Sequence, residues 1–443
     1  MSLVLLGSTS GSVTLQEPAV AGSTVVNLPS VSMNIGQGGS NVATNTAFGA
    51  SALAANTTGL GNTSVGYAAL DVSTSSDYHT AVGWNALGSN TTGARNTAFG
   101  AAALATNSTG GFNVAMGVNA GYAVTTGSYN VALGYDSLSS NTTASQNTAV
   151  GYQAGYSNTT ASNNTAVGYQ AAYTNTTGTR NAVFGRTTMY YNTTGSSNTA
   201  LGMEALYINS TGSYNTAVGD SALVANTTAS NNTAVGYQAG VNFTTSNDNT
   251  VLGYQAGKGG ATGQTGIVCV GAYAGAYQRT ATGSGVILIG AQSDVASAAN
   301  TFEIVIGYNT TGKGGSTGFI NPNGGGVYQG NNSSTWSTTS DRRLKKNIVD
   351  NNIGLEKLTQ IQVRNFEYRV AEEITDLPQD QAIKKTGVQL GVIAQELQAV
   401  LPECVKTEST GVMTVDQDNL TWYMINAIKE LKAEFDAYKA SHP

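Results

Sequence analysis

The sequence predicts a mainly β protein, a parallel β-solenoid of seventeen-residue coils followed by a small α+β domain with a C-terminal coiled-coil helix. Three observations carry this reading. A glycine recurs without slip at Gly49, Gly66, Gly83, Gly100, Gly117, Gly134, Gly151, Gly168, Gly185, Gly202, Gly219, Gly236 and Gly253. A short β-prone run precedes each glycine, and Asn, Thr and Gly follow it. Charged side chains, sparse up to Ser340, become dense beyond it.

The repeat comes first, because fixed self-similarity constrains any fold. Its units approximate Asn-Thr-Ala-Val-Gly-Tyr-Gln-Ala-Gly-x-x-Asn-Thr-Thr, most cleanly from Asn147 and from Asn164. The residue before the anchor glycine is large and apolar, as at Phe48, Met116 and Val235; His79 alone replaces the Asn four before it. Such a unit is too short for a helical pair and too poor in charge for a solvated helix. A β-run closed by turn residues suits one coil of a solenoid. Coils rise about 4.7–4.9 Å each, so the regular array makes a rod on the order of 60 Å. Asn and Thr columns would stack as hydrogen-bonded ladders. The alternation of Thr-Ala-Val-Gly is read with Val toward the coil interior and Ala and Gly on a small, dry outer face. That face would let the solenoid oligomerise along its length.

The flanks divide the chain into residues 1–35, 36–308, 309–339 and 340–443. Residues 1–35 alternate around Ser12–Leu15 and Thr24–Leu28 and predict short strands, either a solenoid cap or an attachment segment. Past Gly253 the glycine spacing loosens to Gly271, Gly290 and Gly307, and the coils turn aliphatic, as expected of closing coils with enlarged loops. Residues 309–339 lack a pattern and read as a neck, with Phe319, Tyr328 and Trp336 as anchors against neighbouring chains.

Beyond Ser340, a short helix is expected over 354–361, strands over 363–368 and 388–394, and a helix over 395–400. A hairpin pairs 404–407 with 412–416, and a last helix covers about 418–440. In that helix Met424, Ile428, Leu431, Phe435 and Tyr438 are spaced 4-3-4-3, the seam of a coiled coil. Two heptads do not fold alone in water, so partner chains are implied.

Composition narrows the function. The net charge of −6 has no basic patch behind it, which argues against nucleic acid. Cys269 and Cys404 form no CxxC pair, and His79 and His442 are the only histidines, so neither a disulfide framework, a metal site nor a cofactor is expected. The apolar start Met1–Leu6 lacks the positive flank of a secretory signal, and no window approaches a membrane span. Synthesis in the cytoplasm, with exit by lysis or within a particle, is the expectation. Asn-Thr-Thr triplets fit the glycosylation pattern but read as turns. Tyrosines after the glycines, such as Tyr152 and Tyr169, could stack on sugars; packing is the favoured reading.

One stretch carries chemistry, Ser340-Asp341-Arg342-Arg343-Leu344-Lys345-Lys346-Asn347-Ile348. A serine hydroxyl needs a base to take its proton, and lysine is that base only when desolvation lowers its pKa. An offset of five puts the two on no common helical face. A turn or a neighbouring subunit would have to join and dry them.

Two resemblances sharpen these readings. The Asn-Thr-Ala-Val-Gly-Tyr-Gln-Ala-Gly units resemble the head repeats of trimeric bacterial adhesins, and similar repeats occur in phage tail fibres. This implies a left-handed parallel β-roll assembled as a homotrimer. The segment Gly11–Pro29 resembles N-terminal segments of phage fibre proteins, which implies attachment to other tail proteins. Ser340–Ile348, Leu390–Leu397, Leu401-Pro402-Glu403 and Asn426–Leu431 together resemble the endosialidase-type intramolecular chaperone, over Ser340 to about Tyr438. That resemblance implies a domain that trimerises the fibre and then cuts itself off by a Ser/Lys dyad. Carried over, Ser340 is the nucleophile, Lys345 the base and Thr339-Ser340 the scissile bond; Asp341 and Arg343 shape the turn. The resulting expectation is a virion tail fibre that contacts a host cell-surface receptor, with a single-turnover autoprotease at its C-terminus. The alternatives are a bacterial trimeric surface adhesin and a glycan-degrading tailspike. The latter would need paired carboxylates at useful separation, and the repeats hold few acids (Asp71, Asp77, Asp136, Glu204, Asp220, Asp248). An ice-binding threonine ladder ranks below both.

Overall fold

The computed structural model describes residues 34–36, 38–40, 42–260, 263–277, 284–297, 301–321, 327–329, 337–338, 342–376, 383, 385–407 and 411–442. The chain divides into two compact units, residues 1–339 and 340–443. The strands expected before Asn34 lie outside the described residues. Asn34–Gly36 pairs antiparallel with Thr46–Gly49.

Seventeen short parallel strands, from Thr46–Gly49 to Gly318–Asn321, form the solenoid. Adjacent strands pair one repeat apart, with Thr148 opposite Thr165, Ala149 opposite Ala166 and Val150 opposite Val167. Where the glycine spacing loosens the register holds, since Leu252 pairs with Val270 and Val270 with Ile289. Gly318–Asn321 adds a parallel strand to Ile304–Gly307, so the stack runs into the segment expected to be neck. From there Val327–Gln329 and Ser337–Thr338 pair antiparallel. Phe319 is buried in the solenoid core, with the Lys313 ammonium 4.6 Å from its ring centroid. It anchors its own coil, not a neighbouring chain as expected. The Tyr328 side chain and Trp336 lie outside the described residues.

The two strand faces are the reverse of the sequence expectation. Ala149, the middle residue of Thr148–Val150, is buried, while Thr148 and Val150 are only partly covered. Phe99 on the same outward row is 52% exposed. The reason is the width of the coil. Ala154, three residues past the glycine, is also fully buried, as are Leu53, Leu70, Leu87 and Leu104 one position further in their coils. Asparagines fill much of the remaining interior, so most strands point only a methyl inward, with Val183, Val251 and Leu288 as larger exceptions, and the bulky residue before the glycine turns out.

Backbone geometry explains the anchor glycine. Gly168 sits at φ +138°, and a Cβ there would lie 2.2 Å from the Gly185 carbonyl oxygen of the next coil. Left-handed corners turn the rest of the coil, including Asn85, Leu87 and Arg95 at φ 54°, 53° and 58°. A leucine in that region costs about 1–2 kcal/mol, which its burial, worth about 1.5–3 kcal/mol, offsets.

The buried asparagines form ladders. The Asn147 N–H donates to Asn130 Oδ1 at 3.0 Å, and Asn147 Nδ2 donates to the Ala161 carbonyl at 2.9 Å. In a second column Asn226 donates to Asn209 at 2.7 Å and Asn209 to Asn192 at 2.8 Å. That column stops at Phe243, leaving Asn226 Oδ1 without a partner. The Phe243 ring fills space left by Gly240, Gly257 and Gly260. Thr142 Oγ1 donates to the Thr159 carbonyl at 3.1 Å in a hydroxyl ladder nearer the surface. Tyr152 and Tyr169 stack with centroids 5.2 Å apart and planes 9° off parallel. Their faces cover one another and leave edges to solvent, which favours packing over sugar stacking.

His79 takes the place of a ladder asparagine. Its Nδ1 accepts the Asn96 N–H at 3.2 Å, its own N–H donates to Asn62 Oδ1 at 2.9 Å, and its Nε2 lies 3.2 Å from Ser76 Oγ. Ser76 Oγ in turn bonds Ser73 Oγ. Burial holds the imidazole pKa below its ordinary 6.5, against weaker opposing pulls from the backbone at Gly93 and Asn96 and from Asp77.

Two outcomes follow for the solenoid. Gly168→Ala combines backbone strain with overlap and should lower solenoid stability by about 2–4 kcal/mol in chemical denaturation. Because the folded His79 pKa lies below the unfolded one, its contribution is complete above pH 6.5 and lost as pH falls below it. Denaturation from pH 7.5 to 5 should therefore show wild type weakening relative to His79→Asn, which restores the ladder residue without a titrating group.

Candidate functional site

The C-terminal unit is small and its elements match the sequence expectation closely. It contains α1 (Leu355–Leu358), α2 (Ala394–Val400) and α3 (Gln417–Ser441). Arg364–Phe366 pairs antiparallel with Gln389–Gly391, and Val405–Thr407 with Met413–Val415. Leu397, Leu401, Cys404 and Val405 form its core, against which Val392, Leu420 and Tyr423 pack.

Of the residues assigned to cleavage, only Lys345 lies among the described ones; Thr339, Ser340 and Asp341 do not. Arg342–Leu344 forms a single 3-10 turn, and the Lys345 N–H donates to the Arg342 carbonyl at 3.1 Å. The Lys345 residue is exposed, and Leu344, Ile348 and Val349 around it also face solvent.

The other motif residues build the scaffold. Leu401 is buried, Pro402 opens a 3-10 turn, and Glu403 accepts the Tyr423 hydroxyl, which holds its carboxyl below the usual range. Asp416 caps α3 by accepting the Asn419 N–H at 3.2 Å. Glu396 pairs with Arg364 through two contacts of 3.1 and 3.2 Å.

From α3, Asn426 donates to the Asn351 carbonyl at 2.7 Å, and Glu430 Oε2 accepts the Leu355 N–H at 2.6 Å. Glu430 thus satisfies an orphan donor at the start of α1 and places negative charge at its N-terminus. Gly354 lies against the α3 backbone, where a Cβ would stand 2.2 Å from the Ala427 nitrogen. These contacts span more than seventy positions, and no local sequence pattern announces Gly354 or Glu430 as partners.

The remaining apolar residues of α3 point away from this packing. Trp422, Met424, Ile428, Leu431, Phe435 and Tyr438 are all at least half exposed. A groove of about 450 Å³ runs beside the helix start, lined by Phe366, Tyr368, Leu390, Val392, Leu420 and Met424. Among the described residues, no cluster of three metal-ligating side chains occurs and no helix is long and apolar enough to cross a membrane.

Residues 340–406 match the family described as chaperone of endosialidase. That family implies a self-cleaving intramolecular chaperone. The match begins at Ser340 and ends before α3, so the Asn426–Leu431 motif lies past it. A search of curated proteins gave no match. A β-solenoid followed by this chaperone region fits a phage tail fibre with an endosialidase-type chaperone.

Gly354→Ala should separate α1 from α3. Local opening should become easier by about 1–3 kcal/mol, read as faster hydrogen exchange at Leu355–Leu358 with solenoid protection unchanged.

Proposed function

We propose that the chain is the structural and host-binding fibre of a phage tail, assembled as a homotrimer and released from its own C-terminal chaperone by cleavage before Ser340. The observation that carries this reading is a coincidence of boundaries. The family match opens at Ser340, where the second compact unit begins and where the charge-poor part of the sequence ends.

The exposed row of α3, with Met424, Ile428, Leu431, Phe435 and Tyr438 at heptad spacing, supports a short coiled coil between three chains. On this reading the chains join at the chaperone and the solenoids zip from that end. The N-terminal residues bind other tail proteins, and the virion fibre meets a host receptor.

For cleavage, Lys345 in its neutral form takes the Ser340 hydroxyl proton. The Ser340 oxygen attacks the Thr339 carbonyl carbon, and the Thr339–Ser340 amide breaks as the lysine returns the proton to the departing nitrogen. Water then hydrolyses the Thr339 ester, leaving a carboxylate on the fibre and a free amine and hydroxyl on Ser340. Each chain turns over once. Lys345 is exposed in the single chain, so on this reading a neighbouring chain covers it. Cleavage would then follow assembly.

The test is expression of the full chain beside Ser340→Ala and Lys345→Ala, each run fully denatured. Wild type should release a fragment comprising residues 340–443, and both variants should stay intact. An uncut wild-type chain in soluble trimers would remove the peptidase role and leave the C-terminal unit as a permanent tip.

A further inference from the structure

The strands present one unpartnered face, the row of apolar residues before the anchor glycines. It is continuous from Phe48 to Ile306; Phe48, Phe99 and Met116 are about half exposed, and Phe184 is 38% exposed. A contiguous apolar row of this length marks an interaction surface. Its footprint is about 75 Å by 10 Å from coil rise and strand length, close to the roughly 800 Å² per partner of a stable interface. Only a partner with the same rise per coil can meet every step of such a row, and a second copy of this chain in parallel has that rise.

Yet a repeat creates a difficulty. Sliding one copy by a coil returns Ala, Asn and Thr columns to equivalent positions, so the repeated columns hold no register. The outward row does differ from coil to coil. Valine is its commonest member, and phenylalanine interrupts it at Phe48, Phe99 and Phe184. Three coils separate the first pair and five the second. Three, five and their total of eight are all different, so any slip aligns at most one pair of phenylalanines. Beside Phe184 the outward threonine is replaced by the smaller Ala182, whereas Thr46 and Thr97 stand beside Phe48 and Phe99.

We propose that Phe48, Phe99 and Phe184 are register markers, which fix a parallel copy of the same chain in the one alignment where all three meet their equivalents. This rests on the homo-oligomer of the proposed function and adds how its chains are aligned.

The test co-expresses two differently tagged full chains, one carrying Val218→Cys and the other Val235→Cys or Leu252→Cys. Native Cys269 and Cys404 are buried and do not compete. Disulfides need Cα atoms about 4.4–6.8 Å apart, so same-tag pairs report alignment and mixed-tag pairs report slips of one or two coils. The expected result is same-tag disulfides predominating in the otherwise wild-type background. With Phe48, Phe99 and Phe184 all changed to Val, mixed-tag pairs should rise about tenfold, the population change for the loss of a modest alignment preference. Phe→Leu at the same three positions keeps the row apolar and should raise them too, which covers a valine variant that does not assemble. Same-tag pairs with no rise in mixed-tag pairs in the assembled variants would overturn the marker role alone. Absence of same-tag pairs in wild type would overturn the homo-oligomer beneath it.

Discussion

The close approach of successive coils governs this structure. With the carbonyl oxygen of one anchor glycine 2.2 Å from where the previous one would carry a Cβ, as at Gly168 and Gly185, no side chain fits at that corner. The coil is narrow for the same reason. Its inward residues shrink to alanine, and asparagine both fills space and satisfies backbone groups that would otherwise be buried without partners. The interior is a mixture in which leucines such as Leu87 and Leu206 alternate with alanine and asparagine. Much of the cohesion between coils is therefore directional, carried by amide and hydroxyl ladders that repeat with the backbone.

This explains which parts of the fold were legible in the sequence. The period, the strand positions and the C-terminal elements came from glycine spacing and hydrophobic alternation. Alternation shows that two faces differ without showing which one points inward. In Thr-Ala-Val-Gly both faces read as dry, one bulky and one small, and the usual rule that the larger apolar residue is buried gave the wrong side. Coil width, which decides it, depends on left-handed corners such as Leu87 that bulky residues seldom adopt. Phe319 was misread because its coil lacks the anchor pattern, although its strand still pairs in the stack. In the C-terminal unit the motifs at Leu401-Pro402-Glu403 and Asn426–Leu431 were visible as resemblances. Their roles as clamps were not, since Glu430 and Gly354 act across a long stretch of chain.

The two units solve the stability problem differently. The solenoid adds nearly identical nearest-neighbour contacts, so each coil supports the next. The C-terminal unit has a core of few residues and leaves the apolar row of α3 in solvent. A single copy of such a unit is poorly stabilised, because a small domain buries too little surface to offset its chain entropy. On the proposed assembly that deficit suits a helper that acts in company, since folding tied to association would bring chains together before their solenoids are complete.

Association at one end also bears on the repeat. The repeat presents nearly the same surface at every coil, so in the proposed homotrimer chains that zip from arbitrary points would fall into many near-equivalent alignments. Joining them at a common end would remove most of those alternatives by connectivity, and the proposed register markers of the outward row would penalise the slips that remain. Each device covers the other's weakness. A joined end cannot correct a coil that skips further along, and an irregular row cannot bring dilute chains together. On the proposed cleavage, loss of the helper after zipping would leave coils that must open without the template that aligned them, so persistence would become a matter of unfolding rate more than of equilibrium.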